Sequence, residues 1–267
     1  MDLLGRVKTN MHRTARRAAG VDGITLQLGN SRQVNVAFPP TAIGRSPLRI
    51  DLDIIGAWLS TNRPEVGFVQ IGAFDGVTND PLYDLVRRFG WRGVLVEPQA
   101  GAFERLRVTY KDIAGVVLLN AAVAEERGSR TLWQLEAERP TDPWWVSQSA
   151  SFNREHLLAH IAHPYMEQRI VGVDVETLTL ADVFSQSPRP VDVLQIDAEG
   201  YDAHIVAMLE TTGRWPTVVR FEHRHLSLRS HAETVDLLAA RGYRISLTED
   251  DTIALRRDRG RGTTAIR

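Results

Sequence analysis

Apolar and polar positions change period repeatedly from residue 67 to the C-terminus. Segments with the 3.6-residue period of an amphipathic helix, at 81–90, 102–111, 201–210 and 231–242, follow four of five continuous apolar runs of strand length. Those runs are GFVQI (67–71), GVLVEP (93–98), GVVLLNAAVA (115–124), VDVLQIDAEG (191–200) and PTVVRFEH (216–223). Strands that are apolar throughout are typical of a sheet covered on both faces. The pattern therefore predicts an α/β fold, with a mostly parallel sheet between two layers of helices.

Two more strand patterns lie near the C-terminus, YRISL (243–247) and DTIALRR (251–257), joined by the acidic turn TEDD. A connection this short joins antiparallel neighbours. We therefore expect a seven-stranded sheet with one antiparallel edge strand.

Two segments interrupt this alternation. Residues 1–60 predict a helical or extended N-terminal extension to a main domain at 61–267, with a helix in DLDIIGAWLS (51–60) that leads into the first strand. Residues 128–175 break the main domain and predict an insertion, of which 140–165 would form a lid over the acceptor site.

The first twenty residues place Leu3, Leu4, Val7 and Met11 on one face of a predicted helix, with arginines on the rest. We expect this helix to pack on the main domain or on a second subunit in a homodimer. A transit peptide or a helix lying on a membrane surface are the alternatives. The segment is too interrupted for the apolar core of a secretory signal.

Composition narrows the function classes. The net charge of −1 over 267 residues argues against a dedicated nucleic-acid binder, which would carry a basic surplus. The absence of cysteine excludes disulfides, iron–sulfur clusters and thiolate zinc sites. No stretch approaches 18 consecutive apolar residues, so we expect no integral membrane segment and a cytoplasmic location.

The loop in FVQIGAFDGVTNDP (68–81) carries the first candidate chemistry. Gly72 and Gly76 allow a ligand to approach the backbone after a strand, where open parallel sheets bind their ligands. The dinucleotide fingerprint G-x-G-x-x-G fails, because Phe74 and Val77 stand where its second and third glycines belong, and no P-loop lysine follows. Glu97 ends the next strand, where an acid binds ribose hydroxyls, or is simply solvated.

A ribose-binding acid without a pyrophosphate loop favours a nucleoside that lacks a diphosphate, and S-adenosylmethionine is the common one. We expect Asn120 to Ala122 to lie near the adenine. The predicted cofactor-binding residues are Gln70, Gly72, Ala73, Phe74, Asp75, Gly76, Glu97, Pro98, Asn120, Ala121, Ala122 and Asp197.

Several stretches resemble the FkbM-type methyltransferase domain over roughly residues 64–225. They are FVQIGAFDGVTNDPLYDLVRRFGWRGVLVEPQ, NAAVAEERGSRTLWQ, VETLTLADVF, VDVLQIDAEGYDAHIV and VVRFEH. GWRGVLVEP and LQIDAEG are the more specific signatures. The resemblance implies a class I, Rossmann-like methyltransferase fold and S-adenosylmethionine-dependent O-methylation of hydroxyls on sugars and natural products. Gln70 and Phe74 depart from the usual pattern, where an acid and an asparagine are common.

The ends of the fourth and fifth strands carry the second candidate chemistry, in QIDAEG and RFEHRH. An alcohol is a poor nucleophile, so a base or a metal must make it more anionic. We predict Asp197, Glu222 and His223 as the catalytic cluster. In one arrangement His223 or a carboxylate takes the proton; in the other the three residues hold Mg²⁺ or Mn²⁺. Glu199 alternatively stabilises the N-terminus of the following helix.

The insertion supplies the remaining candidates. His156, His160 and His163 share one helical face, a spacing that can bind zinc but that we interpret as a lid helix. Trp144 and Trp145 stand in a polar setting, and such aromatics stack on sugar rings, seal a cleft or anchor a core. The predicted substrate residues are Trp144, Trp145, Glu199, Tyr201 and His225, for a saccharide or other small-molecule acceptor.

Two other function classes remain open from the residues alone. A dehydrogenase on the same fold is disfavoured by the missing third glycine. A non-catalytic cofactor-binding or scaffold protein is disfavoured because a binding module does not need acids at both strand ends.

Overall fold

The computed structural model describes residues 22–28, 32–38, 52–63, 65–136, 144–160 and 167–256; for 22–28, 32–38, 144, 145 and 160 it describes the backbone alone. The predicted N-terminal helix and His163 lie outside these residues. In chain order the strands are β1 (Asp22–Leu28), β2 (Arg32–Phe38), β3 (Gly67–Ile71), β4 (Arg92–Val96), β5 (Val116–Leu119), β6 (Ala122–Val123), β7 (Gly128–Leu135), β8 (Ala150–Ser151), β9 (Ile170–Leu178), β10 (Val191–Ile196), β11 (Val218–Glu222), β12 (Tyr243–Leu247) and β13 (Asp251–Arg256). The helices are α1 (Leu52–Asn62), α2 (Tyr83–Phe89), α3 (Ala100–Tyr110), α4 (Arg154–His160), α5 (Leu180–Gln186), α6 (Asp202–Ala207), α7 (Leu209–Thr212) and α8 (Leu228–Ala240), with a 3₁₀ turn at Trp144–Ser147.

The chain separates into two compact units, Met1–Arg49 and Ile50–Arg267. The first contains an antiparallel hairpin of β1 and β2, with Thr25 opposite Asn35. Helix α1 belongs to the second unit, because Leu52, Ile55 and Leu59 lie in its core. The boundary expected at residue 60 therefore lies at 49/50.

A seven-stranded sheet forms the centre of the second unit, in the order β12-β13-β11-β10-β3-β4-β5. The strands from β11 to β5 are parallel, as predicted, so the α/β class I architecture is confirmed. Ile71 pairs with both Val96 and Ile196, and Ile196 pairs with Phe221. Because these residues are in register, the strands end together, and the residues that follow them share one edge of the sheet.

The antiparallel strand differs from the expectation in its position. β13 pairs antiparallel with both β11 and β12, so it lies one place inside the edge and β12 is the edge strand. Ile253 and Ala254 in the middle of β13 are buried at 2% and 0% exposure. These two apolar side chains are buried more fully when a strand lies on each side of β13. Their burial therefore favours the pairing of β13 with β11, with β12 at the edge.

Alternate residues of the central strands enter two cores, one on each face of the sheet. Val69 and Leu194 belong to the first core, whereas Phe68 and Val193 belong to the second. Burial on both faces explains why the strands are apolar throughout. Within the described residues, no helix combines the length and the apolar character that crossing a bilayer requires.

The insertion predicted at 128–175 is mainly β-structure. β6, β9, β7 and β8 form a second sheet, in which β7 and β9 pair antiparallel from Gly128 and Thr177 to Leu135 and Ile170. Leu157 of α4 packs with Val146 in a small separate core. The insertion thus has packing of its own, and β8 pairs with β7 at Trp133 and Gln134.

Candidate functional site

Gly72 forms the turn at the end of β3. Its φ of +76° belongs to the left-handed region, and a Cβ there would lie 1.8 Å from the carbonyl oxygen of Asp197. The Gly72 and Ala73 N–H groups both donate to the carbonyl of Val96. The ends of β3, β4 and β10 therefore meet at a position that only glycine can occupy.

Asp75 and Gly76 shape this loop from within and do not line the cleft that it borders. The Asp75 carboxylate accepts from the N–H groups of Val77 and Thr78 and from the Thr78 hydroxyl. Burial raises the pKa of Asp75, but these hydrogen bonds outweigh it and leave the pKa below its ordinary value. A Cβ on Gly76 would lie 2.6 Å from Leu106 and from Tyr110. Both residues therefore have a structural role in the loop, and their predicted contact with the cofactor stays a prediction.

Glu97 lies buried at the end of β4, at 3% exposure. One carboxylate oxygen accepts from the Phe74 N–H and the other from the Gln99 N–H, both at 2.8 Å. Burial raises the pKa of Glu97 to about 7 against the lowering effect of these donors. Each oxygen of a carboxylate has two lone pairs, so Glu97 can still accept from a ligand hydroxyl.

A cleft at the strand ends is lined by residues of the glycine loop and of the insertion. Asn120 lies outside it, because its side chain donates to the backbone carbonyls of Glu97 and Pro98. The predicted cofactor residues that line the cleft are Gln70, Gly72, Ala73, Phe74, Glu97, Pro98, Ala121, Ala122 and Asp197.

Asp80 is a cleft residue that the sequence reasoning missed. One oxygen accepts from the N–H groups of Leu82 and Tyr83 at the start of α2, and the other accepts from the Gln70 amide at 3.1 Å. Burial raises the pKa of Asp80. The signal was an acid directly before Pro81 at a predicted helix start, which is the pattern of a capping aspartate.

Two buried amide oxygens in this cleft have no hydrogen-bond partner within the described residues, those of Gln70 and Gln195. Buried polar atoms without protein partners are rare and usually indicate the place of a ligand or a water molecule. With the Glu97 carboxylate, the close backbone at Gly72 and the apolar walls at Ala121 and Ala122, the cleft fits a ligand that is part polar and part apolar, such as a nucleoside.

The ends of β10 and β11 bring several carboxylates together. The Asp197 side chain opens into the cleft, and its surroundings raise its pKa through desolvation, which the charge of Arg220 opposes. Burial, followed by the charges of Asp197 and Asp202, raises the pKa of Glu199 to about 8. Burial and the same neighbours also raise the pKa of Glu222. Such a cluster favours a bound cation or shared protons.

Asp202, which is fully buried, holds the backbone that carries these carboxylates. Its carboxylate accepts from the N–H groups of Ala198, Gly200 and Glu222, so it ties the loop after β10 to the end of β11. Burial raises the pKa of Asp202 to about 7. Glu199 has a φ of +47°, and the Ser151 hydroxyl of β8 donates to its carbonyl at 3.0 Å. The strained position of Glu199 is therefore held from both sides.

His223 is not part of this cluster, which corrects its predicted catalytic and metal-binding role. Its ring stacks on His231 at 4.4 Å, and its Nδ1 lies 3.0 Å from the Thr252 hydroxyl. The His223 N–H donates to the carbonyl of Asp250 just before β13, and its ring packs against His231 of α8. His225 takes the predicted place, with Nε2 at 3.3 Å from Glu222 Oε2 and 3.5 Å from Glu199 Oε2.

A second cavity adjoins the cleft, and Ser151, Phe152, Glu199 and Tyr201 line both. Its further walls include two residues of the insertion, Arg130 and His156, as well as His204 and His225. Three of the predicted substrate residues, Glu199, Tyr201 and His225, thus lie here. The side chains of Trp144, Trp145 and His160 lie outside the described residues.

Tyr201 and Phe152 give this second cavity an aromatic wall. Their rings meet edge to face at 5.1 Å, and the Arg130 guanidinium lies 4.2 Å from the Phe152 ring and 5.1 Å from the Tyr201 ring. The ring of His204 stacks on Tyr201 at 4.6 Å. Aromatic rings edged by charged and hydrogen-bonding groups suit a polyhydroxylated ligand.

Comparison with known proteins places the chain among methyltransferases. The family profile described as Methyltransferase FkbM domain matches residues 70–245. None of the curated proteins matches the sequence.

Three solved structures are similar in part of the fold. The methyltransferase FkbM from Methylobacillus flagellatus KT aligns with a TM-score of 0.47 and 13% identity. The alignment covers 72% of this chain but only 43% of that protein, so this chain spans less than half of its length. The SAH-bound methyltransferase PaMTH1 of Podospora anserina gives a TM-score of 0.41 and 10% identity, covering 77% and 79% of the two chains. The precorrin-6y C5,15-methyltransferase of Geobacter metallireducens GS-15 gives a TM-score of 0.39 and 11% identity. The alignment covers 76% of this chain and 86% of that protein.

Proposed function

Because this chain belongs to the FkbM methyltransferase family, we propose that it transfers a methyl group from S-adenosylmethionine to a hydroxyl oxygen of a saccharide acceptor. Family membership confirms the resemblance inferred from the sequence. The donor, the accepting atom and the acceptor class are the proposed parts.

The observation that carries the proposal is the junction of two cavities at Glu199 and Tyr201. The first has the glycine turn and the buried acid that suit a nucleoside. The second has the aromatic and charged walls that suit a sugar. A methyl donor in the first and a hydroxyl in the second would approach each other at the strand end that carries Asp197.

The chain's own residues would divide the work as follows. Glu97 accepts from the ribose hydroxyls, and Gly72 lets the donor lie against the backbone. When bound, S-adenosylmethionine supplies an activated methyl group, whose C–S bond breaks with its electron pair on sulfur as the acceptor oxygen forms the new C–O bond. Glu199 and Tyr201 orient the hydroxyl from the second cavity. Asp197, whose carboxylate opens into the cleft, would take the proton that the hydroxyl releases.

Calorimetry tests the donor assignment. We expect S-adenosylmethionine and S-adenosylhomocysteine to bind with a stoichiometry of one, and NAD to give no heat of binding. Glu97→Ala should weaken binding by about 1–3 kcal/mol, because it leaves ligand hydroxyls without an acceptor. Binding of NAD instead would favour a dehydrogenase, and unchanged affinity in Glu97→Ala would remove the ribose assignment.

Turnover of Asp197→Asn tests the proton acceptor. The amide cannot take up a proton at neutral pH, so we expect kcat to fall by about 10²–10⁴-fold. The affinity for S-adenosylmethionine, measured by calorimetry on the same preparation, should change far less. Glu210→Gln, an exposed change on α7, is the matched control. A loss of affinity as large as the loss of kcat would assign Asp197 to donor binding alone.

A further inference from the structure

Three side chains from separate segments converge at the second cavity. His156 comes from α4 of the insertion, Glu199 follows β10, and His225 follows β11. Each offers one ligand atom, and these atoms all lie within 4.8 Å of one another. The segments are far apart in sequence, so the convergence is a product of the fold.

We propose that His156, Glu199 and His225 bind a divalent first-row transition metal ion, such as Zn²⁺ or Mn²⁺. The ion would lie where the second cavity (the proposed acceptor cavity) meets the first cleft (the proposed donor cleft). The three ligand atoms would leave further positions of the ion open to the cavity.

The spacing of the ligand atoms supports this assignment. Two ligand atoms that are each about 2.1 Å from one ion lie roughly 3–4.2 Å apart. The Nε2 of His225 lies 3.5 Å from Glu199 Oε2, within that range. It also lies 3.3 Å from Glu222 Oε2, which places a second carboxylate beside the ion. Only a small contraction of the group is needed for binding.

Local packing holds the imidazoles near this geometry. The rings of His156 and His225 meet at 5.1 Å, nearly perpendicular to each other. Gly200 allows that approach, since a Cβ there would lie 3.1 Å from the His156 ring. The His225 side chain is 8% exposed, so its position is fixed by the surrounding protein.

The ligand types distinguish between metals. Two imidazoles and one carboxylate form a donor set typical of zinc and of other first-row transition ions. Magnesium prefers oxygen ligands and retains its waters. The expectation of Mg²⁺ or Mn²⁺ held by Asp197, Glu222 and His223 therefore gives way to a site of different residues, at which Mg²⁺ is disfavoured.

The role of such an ion follows from its place, and this role rests on the proposed methyl transfer. Adjacent hydroxyls of a sugar in the second cavity can coordinate its open positions. Coordination lowers the pKa of a hydroxyl and fixes its direction toward the donor cleft. Because His156 belongs to the insertion, the ion would also join α4 to the ends of β10 and β11.

Metal binding is measured on the full chain without S-adenosylmethionine, so that its outcome is independent of the proposed function. After treatment with chelator, the protein is titrated with Zn²⁺, Mn²⁺ or Mg²⁺ by calorimetry, and bound metal is counted after dialysis. A Co²⁺ titration reports nitrogen and oxygen coordination through its visible absorption. We expect one Zn²⁺ or Mn²⁺ per chain, weaker binding of Mg²⁺, and a rise in thermal stability on binding.

His156→Gln and Glu199→Gln should each lower the affinity by at least tenfold, since each removes a ligand. His204→Gln is the matched control, because His204 lines the same cavity outside the ligand group. Circular dichroism before metal addition shows whether each variant is folded. If Glu199→Gln does not fold, His156→Gln in α4 still tests the site. Absence of stoichiometric binding, or equal affinity in His156→Gln and His204→Gln, would overturn the proposal.

Discussion

Gly72 combines a left-handed backbone with a contact that excludes any side chain. Its missing Cβ lets the end of β3 approach Asp197 at the end of β10, so both residues border the same cleft. Gly90, which ends α2, meets only the first of these two conditions. Its φ is +66°, and a Cβ added there would have nothing within 4 Å.

Gly72→Ala and Gly90→Ala should therefore have different effects. Gly90→Ala brings only backbone strain, with a loss of free energy of unfolding of about 1 kcal/mol. Gly72→Ala brings the same strain plus a backbone clash, with a loss of more than about 2 kcal/mol and weaker S-adenosylmethionine binding. Denaturant unfolding and calorimetry measure both quantities. Equal losses in the two variants would show that the approach of β3 to β10 does not matter.

Glu97 makes the free energy of unfolding depend on pH. Its pKa is about 7 in the fold, against 4.5 ordinarily. Between these values the folded state keeps a proton that the unfolded state has released, so its stability falls as pH rises, by up to about 1.4 kcal/mol per pH unit. Below pH 4.5 and above pH 7 this contribution is constant.

Glu97→Gln should remove this part of the pH dependence. We expect the free energy of unfolding of the variant to fall less steeply between pH 4.5 and 7 than that of the wild-type protein. Urea unfolding at several pH values measures both slopes. Parallel curves would mean that Glu97 keeps its ordinary pKa in the fold.

At the scale of elements, the insertion and the main sheet meet through β7, β8 and α4. Arg130 of β7 lies over Phe152 and Tyr201, and its guanidinium donates to the Tyr201 hydroxyl at 2.9 Å. The insertion therefore contributes Arg130 to the wall of the second cavity, where Arg130 also supports Tyr201.

Arg130→Met should raise the KM for the acceptor several-fold while the affinity for S-adenosylmethionine stays the same, because it keeps the apolar stem and removes the guanidinium. Arg127→Met is the control, since Arg127 pairs with Asp182 instead. Steady-state kinetics and calorimetry separate the two effects. If donor affinity fell as much as acceptor binding, the insertion would be a part of the donor site.

The elements differ in how far the sequence predicted them. The central strands were predictable because burial on both faces makes each of them apolar throughout, and their shared register then brought Gly72, Glu97, Asp197 and Glu222 to one edge. The pairing of β6 with β9 could not be predicted, because it joins Ala122 to Thr177, which lie far apart along the chain. The hydrophobic period along a short stretch of sequence does not indicate which distant strand it will pair with.

The side chains at the end of β11 show the same limit. The letters RFEHRH contain two histidines close to plausible partners, and the sequence favoured His223. The bond from the His223 N–H to Asp250 depends on β13 returning beside β11, and in this arrangement His225 lies beside Glu222 and Glu199. Asp80, by contrast, could have been found from its helix-capping position.

At the scale of the whole molecule, the second unit unites the two cavities that we propose as donor site and acceptor site at one edge of one sheet. Their shared walls are Ser151, Phe152, Glu199 and Tyr201. A protein that only bound a nucleoside would need the first cavity alone. The continuity of the two is what favours transfer between two ligands.

Transfer of a ¹³C-labelled methyl group from S-adenosylmethionine to a panel of saccharides, followed by ¹³C NMR, tests the central claim most directly. We predict a methoxy carbon signal on a sugar, one equivalent of S-adenosylhomocysteine for each methyl transferred, and loss of both in Asp197→Asn. A labelled methyl found on nitrogen or carbon, or label transferred equally well by Asp197→Asn, would contradict the account.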